Sequence, residues 1–261
     1  MIPVIIPFYK HRHQLDKCLA HLKRQTMPVE TFIRDNTHDN IYFTAAINEG
    51  IRHFLPSPAH YLILLNQDMY LEPTAVTEMV NFMNRNPGCG IGAPVQLHPR
   101  RPDYAIWAGG FDAFPMGKHL HGPLDRFRND APLHWANGAC MILRKQMVQE
   151  IGLLDKNLIF IGSDSDYSFS ARARGWSIWR IGAAHGVHDH GASGNSGNPI
   201  IEMIKARDML YFSKKWLTGE LYRKMALEGD RLTPERVKTM VDELTRTKQM
   251  IAESVKQNAL P

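Results

Sequence analysis

Apolar runs and helical-period stretches alternate from the start of this chain. Residues 2–8 (IPVIIPF) form a short apolar run, the pattern of a strand buried on both faces of a parallel sheet. Leu15, Cys18, Leu19 and Leu22 then recur at helical spacing over 13–25. Residues 29–34 (VETFIR) predict a second strand, which runs out into the polar cluster from Asp35 to Asn40. A helix is expected over 43–54, the clearest strand over 60–65 (HYLILL), a helix from Pro73 in its first turn to about Asn86, and a strand over 90–97. This alternation predicts an α/β fold with a mostly parallel sheet covered by helices on both faces. Ligands of such sheets bind outside the carboxyl ends of the strands, where Pro7-Phe8-Tyr9, Asp35-Asn36 and Asn66-Gln67-Asp68 fall. Each strand end alone reads equally as ordinary turn chemistry; three together point to a site.

The pattern loosens over 98–134, which is rich in Pro, Gly, His and Arg and predicts an irregular stretch. Residues 135–143 regain a strand pattern, 144–151 a short helix, 164–175 a helix stopped by Gly175, and 176–181 an alternating strand. From Pro199 the chain reads as helical, with a start signal at Thr233-Pro234-Glu235 and one apolar stripe of Val237, Val241, Leu244 and Ile251. That stripe fits packing on the core, a homodimer, or peripheral contact with a membrane.

Composition narrows the classes. The chain has 261 residues, 44% of them hydrophobic and 22% charged, which excludes a disordered or collagen-like polymer. Lys and Arg exceed Asp and Glu by 31 − 26 = 5, a mild excess that suits an anionic metabolite or a membrane surface and argues against nucleic acid. Cys18, Cys89 and Cys140 make no CxxC pair, so buried thiols in a reducing, cytoplasmic setting are expected. No run of about 18 apolar residues predicts a membrane span. The N-terminus is apolar first and basic afterwards, the reverse of a signal peptide.

Three groups could carry chemistry. Asp164-Ser165-Asp166 lie where a helix begins, so Asp164 is either a general base held ionised by the helix dipole or a simple cap, shared with Ser163. His185, His188 and His190 are spaced to ligate a metal or to serve as ordinary polar histidines. Asp68, ending the strongest strand, can hold a hard cation that neutralises phosphates, although neutral Asn66 leaves such a site weak in protein charge. Trp135, just before Asn137-Gly138, is a core candidate that could instead stack on a sugar. Gly88 to Gly92 precedes a strand pattern and so is no dinucleotide fingerprint; no P-loop and no GxSxG elbow exist.

In this order the motifs resemble the family 2 inverting glycosyltransferases of GT-A fold, and most of all their rhamnosyltransferase-like members. The opening I-P-x-Y-N appears as Ile6-Pro7-Phe8-Tyr9-Lys10, D-N-x-S as Asp35-Asn36-Thr37-His38, and N-x-G-F-x-x-A-x-N-x-G as Asn40 to Gly50, with Tyr42 for Gly. L-N-P-D is matched by Leu65-Asn66-Gln67-Asp68, W-x-x-G-A-x-x-x-x-R by Trp135 to Arg144, the E-D-x-D segment that follows a Phe by Ser163 to Asp166 after Phe160, with Ser163 for Glu, and H-x-x-G-x-S by His188 to Ser193. The likeness covers roughly 2–217. It implies a domain over 1–198, with a nucleotide-binding half (1–97) and an acceptor-side half (98–198), and a helical extension over 199–261. It implies Asp164 as catalytic base, and a nucleotide-sugar donor held by Pro7, Phe8, Tyr9, Asp35, Asn36, Asn48, Asn66, Gln67 and Asp68. Trp135, Asn137, Gly138 and Asp166 fall on the acceptor side. The implied cofactor is a divalent metal, Mn2+ or Mg2+, on Asp68 and on His188, with His190 the alternative histidine. Lys205, Arg207 and Lys214 are candidates to offset phosphate charge. The expected acceptor is a glycan or lipid-linked molecule of cell-surface polysaccharide or glycoconjugate synthesis, reached in the cytoplasm or at the inner face of the membrane. Two rivals stand beside this reading: a sugar nucleotidyltransferase, which lacks support because its glycine- and lysine-rich loop is missing, and a non-catalytic sugar-nucleotide or glycan-binding relative.

Overall fold

The first apolar run forms β1 (Ile2–Phe8) and the helical stretch after it α1 (Arg12–Lys23). The computed structural model describes residues 1–111, 118–189, 198–216 and 234–258. β2 (Val29–Asp35), α2 (Tyr42–Phe54) and β3 (Tyr61–Leu65) follow close to their expected bounds. A short β4 (Met69–Leu71), unannounced by periodicity, precedes α3 (Ala75–Arg85) and β5 (Cys89–His98). Pro73 lies outside α3, whose N-cap is Thr74.

The stretch expected to be irregular carries β6 (Arg101–Trp107), β7 (Gly110–Phe111), β8 (Lys118–His119), β9 (Gly122–Pro123), a 3-10 turn at Leu124–Phe127, and β10 (Ala131–Leu133). These strands are short and draw their stability from distant partners, β6 from β5 and β10 from β12 (Ser177–His188), so local periodicity does not disclose them. β11 (Cys140–Arg144) begins later than expected, because the chain turns at Asn137, whose carbonyl accepts the Cys140 N–H. α4 (Lys145–Ile151), α5 (Ser163–Ala173), α6 (Pro199–Trp216) and α7 (Pro234–Asn258) complete the elements, with α7 packed along α6.

One sheet runs in the order β2-β1-β3-β11-β5-β12-β10. β1 is parallel to β2 and β3, and β12 to β5. β11 runs antiparallel to both β3 and β5, so those two point the same way. The expected parallel sheet is thus present, with β11 reversed inside it.

Alternate residues of the apolar strands feed two cores, which is why the runs are apolar throughout. Val4 and Ile6 of β1 pack with α1 and α3 through Leu15, Leu22, Val76 and Met79. Ile5 faces the other way, toward Ile47, Ile51 and Phe54 of α2. Each such side chain contributes roughly 1.5–3 kcal/mol when fully buried. α2 can approach β1 this closely because Gly50 has no side chain: a Cβ there would lie 2.3 Å from Ile5 Cγ2. Gly50→Ala is expected to destabilise the fold by about 1–2 kcal/mol, since overpacking outweighs the gain in helix propensity. Thermal melting checks this; an unchanged or higher midpoint would refute the contact.

Cys18, Cys89 and Cys140 are free and buried, and burial pushes the Cys18 thiol up to about 12, as expected of inert thiols. Among the described residues no helix is long and apolar enough to cross a membrane.

Candidate functional site

The carboxyl ends of β1, β2, β3, β5 and β12 lie along one edge of the sheet. β1 ends in register with β2, with Pro7 opposite Arg34 and Phe8 opposite Asp35. The Asn36 N–H bonds the Phe8 carbonyl at 2.7 Å, while its buried Oδ1 has no hydrogen-bond partner. Asp35 is exposed; hydrogen bonding from Thr37 is the main cause that holds its carboxyl below the ordinary range, so it stays ionised. The loop after β1 is strained, with Lys10 and His11 both left-handed at φ 53 and φ 50. Gln67 holds that loop: its Oε1 accepts the Tyr9 N–H at 2.7 Å, and its amide donates to the Lys10 carbonyl and Gln14 Oε1. Gln67 is therefore a latch. Asn66 turns the chain with its backbone, donating to the Ala139 carbonyl and accepting from the Met69 N–H.

The turn delivers Asp68 to the start of β4, and β12 brings its partner. A register break between Ile181 and His185 lets the end of β12 pair with β5 and, antiparallel, with β4. His188 then stands opposite Met69, and the Asp189 N–H bonds the Asp68 carbonyl. His188 Nε2 lies 3.5 Å from Asp68 Oδ1, a buried oxygen that accepts no hydrogen bond.

The tautomer follows from a chain of bonds. The Ala139 N–H bonds Asn137 Oδ1, which makes that atom an acceptor. Gln96 Nε2 donates to the same atom, so Gln96 Oε1 must face His188 Nδ1, 2.8 Å away. Nδ1 therefore carries the hydrogen, and in the neutral ring the Nε2 lone pair points at a carboxylate. Two lone pairs turned on each other repel unless a cation lies between them, and an imidazole with a carboxylate suits a divalent metal. Burial, with smaller contributions from the charges of Asp189 and Asp68, pushes the neighbouring Tyr70 phenol up to about 12. The pair thus fits the implied metal. No group of three ligating side chains exists among the described residues, so other ligands would complete the shell. His190, Gly191 and Ser193 lie outside the described residues.

Asp164 sits in the first turn of α5, beyond an N-cap at Gly162 (φ 77) that uses no side chain. Neither Ser163 nor Asp164 is the N-cap, although Asp164 satisfies one first-turn N–H of the helix, that of Ser165. Asp164 Oδ2 accepts the Gly138 N–H and Oδ1 the Ser165 N–H, both at 2.8 Å. Gly138 allows a close approach here: a Cβ would lie 3.1 Å from Phe43 and 3.3 Å from Asp164 Oδ2, tight enough to displace its neighbours slightly. Burial pushes the Asp164 carboxyl upward against those two bonds and the charge of His119. The carboxylate is half-buried, and each oxygen keeps a second lone pair.

Three anchors hold the segment leading to Asp164. Buried Asp208 of α6 accepts the backbone N–H groups of Phe160 and Ile161. Asp155 accepts from Tyr211 and Lys215; burial opposes its ionisation, but Lys215, Asn157 and Tyr211 outweigh it and hold the carboxyl at about 2. Asp166 is buried under the end of α6, bonded to Trp216 Nε1 at 2.6 Å and ion-paired with Lys215 at 2.7 Å.

Several expected contacts have other work. Asp166 serves this anchor instead of an acceptor, because its oxygen is already taken by a cation and an indole. Asn48 spends its amide on both backbone groups of Leu154, joining α2 to the next loop. Trp135 is fully buried, so its ring offers no face to a sugar. Asn137 orients Gln96. Lys205 pairs with Glu202 and Arg207 with Asp208. Sequence reasoning missed Gln96 and His119. Gln96 left a signal, a polar residue near the end of an otherwise apolar strand; His119 left none.

No family model matches the chain, and no curated protein does either. Solved structures do. The crystal structure of GalNAc-T7 with UDP, GalNAc and Mn2+ superposes with a TM-score of 0.59 at 11% identity, over 88% of this chain and 54% of that one. S. aureus TarS gives 0.57 at 10% identity over 85% of this chain and 41% of that one, and its 1–349 fragment 0.55 at 11% identity over 94% and 71%. The chain spans about half the length of the first two, 54% and 41%. At these identities the likeness establishes the fold, which is the GT-A architecture.

Proposed function

We propose that this protein transfers a sugar from a nucleotide-diphosphate donor to an acceptor hydroxyl, with inversion at the anomeric carbon. The observation that carries the reading is the half-open carboxylate of Asp164, linked to the Asp68–His188 pair by the Gly138-Asn137-Gln96 bonds. Asp164 takes the acceptor proton as the acceptor oxygen bonds to the anomeric carbon. The bond from that carbon to the diphosphate breaks, and the nucleoside diphosphate leaves with the electron pair. The Gly138 and Ser165 N–H groups keep the base aimed and favour its ionised form against the opposing effect of burial. The neighbouring acid, Asp166, is committed to Lys215 and Trp216, which supports one displacement over two.

Asp68 and His188 would hold the divalent cation, Mn2+ or Mg2+, which when bound offsets charge on the leaving diphosphate. Asp35 and the strand end at Pro7, Phe8 and Tyr9 offer the nucleoside an exposed carboxylate, with buried Asn36 fixing the two strand ends through its bond to the Phe8 carbonyl. The neighbour crystallised with UDP, GalNAc and Mn2+ supports both the donor class and the metal. In this reading residues 1–97 hold the donor, 98–198 face the acceptor, and 199–261 extend the domain. The family 2 and rhamnosyltransferase-like motifs favour a glycan or lipid-linked acceptor of cell-surface polymer or glycoconjugate synthesis.

Incubation with a panel of nucleotide sugars and Mn2+, followed by proton NMR of the anomeric signal, tests the reaction. Free nucleoside diphosphate and a product of opposite anomeric configuration are expected; retention, or turnover of no donor, defeats the proposal. The pH profile carries a second mark. Because burial raises the Asp164 pKa, the base form is lost on acidification sooner than for an exposed Asp. Activity should therefore fall at a higher pH than an ordinary carboxylate would give.

A further inference from the structure

The covered face of Trp135 draws attention to what covers it. His119 of β8 stands edge-on to the Trp135 ring with centroids 5.1 Å apart, and Trp107 lies on the same cluster at 6.4 Å. β7, paired with β8 through Gly110 and His119, comes close to the ring at Gly110, where a Cβ would lie 2.4 Å from Trp135. Three polar atoms in this cluster are shielded from solvent and have no hydrogen-bond partner: His119 Nε2, Trp107 Nε1 and Trp135 Nε1. Leaving such a group unsatisfied costs roughly 1–3 kcal/mol, so three in one cluster mark a place built for something else.

We propose that His119 of β8, with the indoles of Trp107 and Trp135, forms an acceptor subsite, in which His119 Nε2 hydrogen-bonds a hydroxyl of a carbohydrate acceptor. The inference rests on the transfer reading above. The two indoles can only donate, while an imidazole nitrogen accepts or donates according to its tautomer. A polyol matches that set, because every hydroxyl both donates and accepts; an apolar chain would not. Burial keeps His119 toward its neutral form, with the Asp164 charge opposing, so its uncharged ring suits a neutral sugar. The chain just after Trp135 binds the helix turn of Asp164: the Ala136 N–H bonds Ser168 Oγ, which donates to the Asp164 carbonyl, and the Gly138 N–H bonds the Asp164 carboxylate, so the cluster adjoins the base. Recognition of the acceptor thereby passes from the ring face of Trp135 to the histidine that covers it.

The test uses the full chain, with nitrogen-detected NMR of the imidazole and indole groups. The probes are the methyl glycosides of glucose, galactose, N-acetylglucosamine and rhamnose, and ribitol. Movement of the His119 Nε2 signal and of an indole N–H with at least one probe is expected, and no movement with any of them overturns the subsite in favour of trapped water. Kinetics give an independent arm, with the best probe as acceptor. His119→Ala should raise acceptor KM about tenfold with a smaller change in kcat, and His119→Gln should recover most of that loss. Calorimetry with UDP reports that each variant is folded. A KM within twofold of the parent in His119→Ala overturns the proposal. Should the wild type turn over no nucleotide sugar, the transfer reading falls while the NMR titration still decides the subsite.

Discussion

Asp164→Asn is expected to lower sugar transfer by about 10²- to 10⁴-fold, the usual contribution of a positioned general base. The amide is nearly isosteric with the carboxylate but takes no proton from the acceptor at neutral pH. The substitution has a structural cost as well. Each carboxylate oxygen accepts one backbone N–H, from Gly138 and Ser165, and an amide can satisfy only one of them. One N–H is left facing another donor, which costs roughly 1–3 kcal/mol. Melting should therefore fall by a few degrees while the fold survives. Nucleoside diphosphate affinity, set at the β1, β2 and β3 ends, should move little. Measuring kcat, melting temperature and affinity for the nucleoside diphosphate of the accepted donor on the same sample separates lost chemistry from lost structure. Transfer within a few-fold of the parent in a folded Asp164→Asn protein would remove the base assignment.

The second large effect belongs to the Asp68–His188 pair. Asp68→Ala should lower kcat/KM by at least about 10²-fold, since a cation on the leaving group contributes several kcal/mol. His188→Ala should cost a comparable amount. Gln96→Leu touches no substrate but releases the imidazole from its tautomer, and should weaken cation affinity by about 10- to 100-fold. Chelation of wild type should reproduce the Asp68→Ala level, while chelation of Asp68→Ala should add little, because both remove the same interaction. Manganese binding in the presence of UDP, followed by calorimetry alongside turnover, checks the order. Full activity of chelated wild type would assign Asp68 and His188 another task, with the proton then bridging the pair.

These experiments bear on residues that differ in how far the sequence disclosed them. Asp68, Asp164 and His188 stood out as acidic or imidazole groups at strand and helix ends. What they meet there was hidden. In the sequence Asp164 reads as the base and Asp166 as its companion on the acceptor side. Being two positions apart on one helix turn, they project to different sides of α5, one toward Gly138 and the other beneath α6. Asn48 and Gln67 look like ligand-binding amides in the sequence; in the fold they close backbone gaps at Leu154 and at the loop after β1. An amide's chemistry is the same in both uses, and only its neighbours decide between them.

The strand and helix order, the double-faced apolar strands and the polar strand ends followed from the sequence alone, because burial periodicity and turn chemistry are local properties. The placement of β11 against the sheet direction, the short strands between β5 and β11, and the register break that sets His188 against Asp68 belong to tertiary structure. Each depends on pairing between segments distant along the chain, where the free energy comes from the partner strand and not from the residues' own propensities. The same holds for the orphaned nitrogen of His119: a polar atom shows itself as unpaired only after every neighbour has been placed around it.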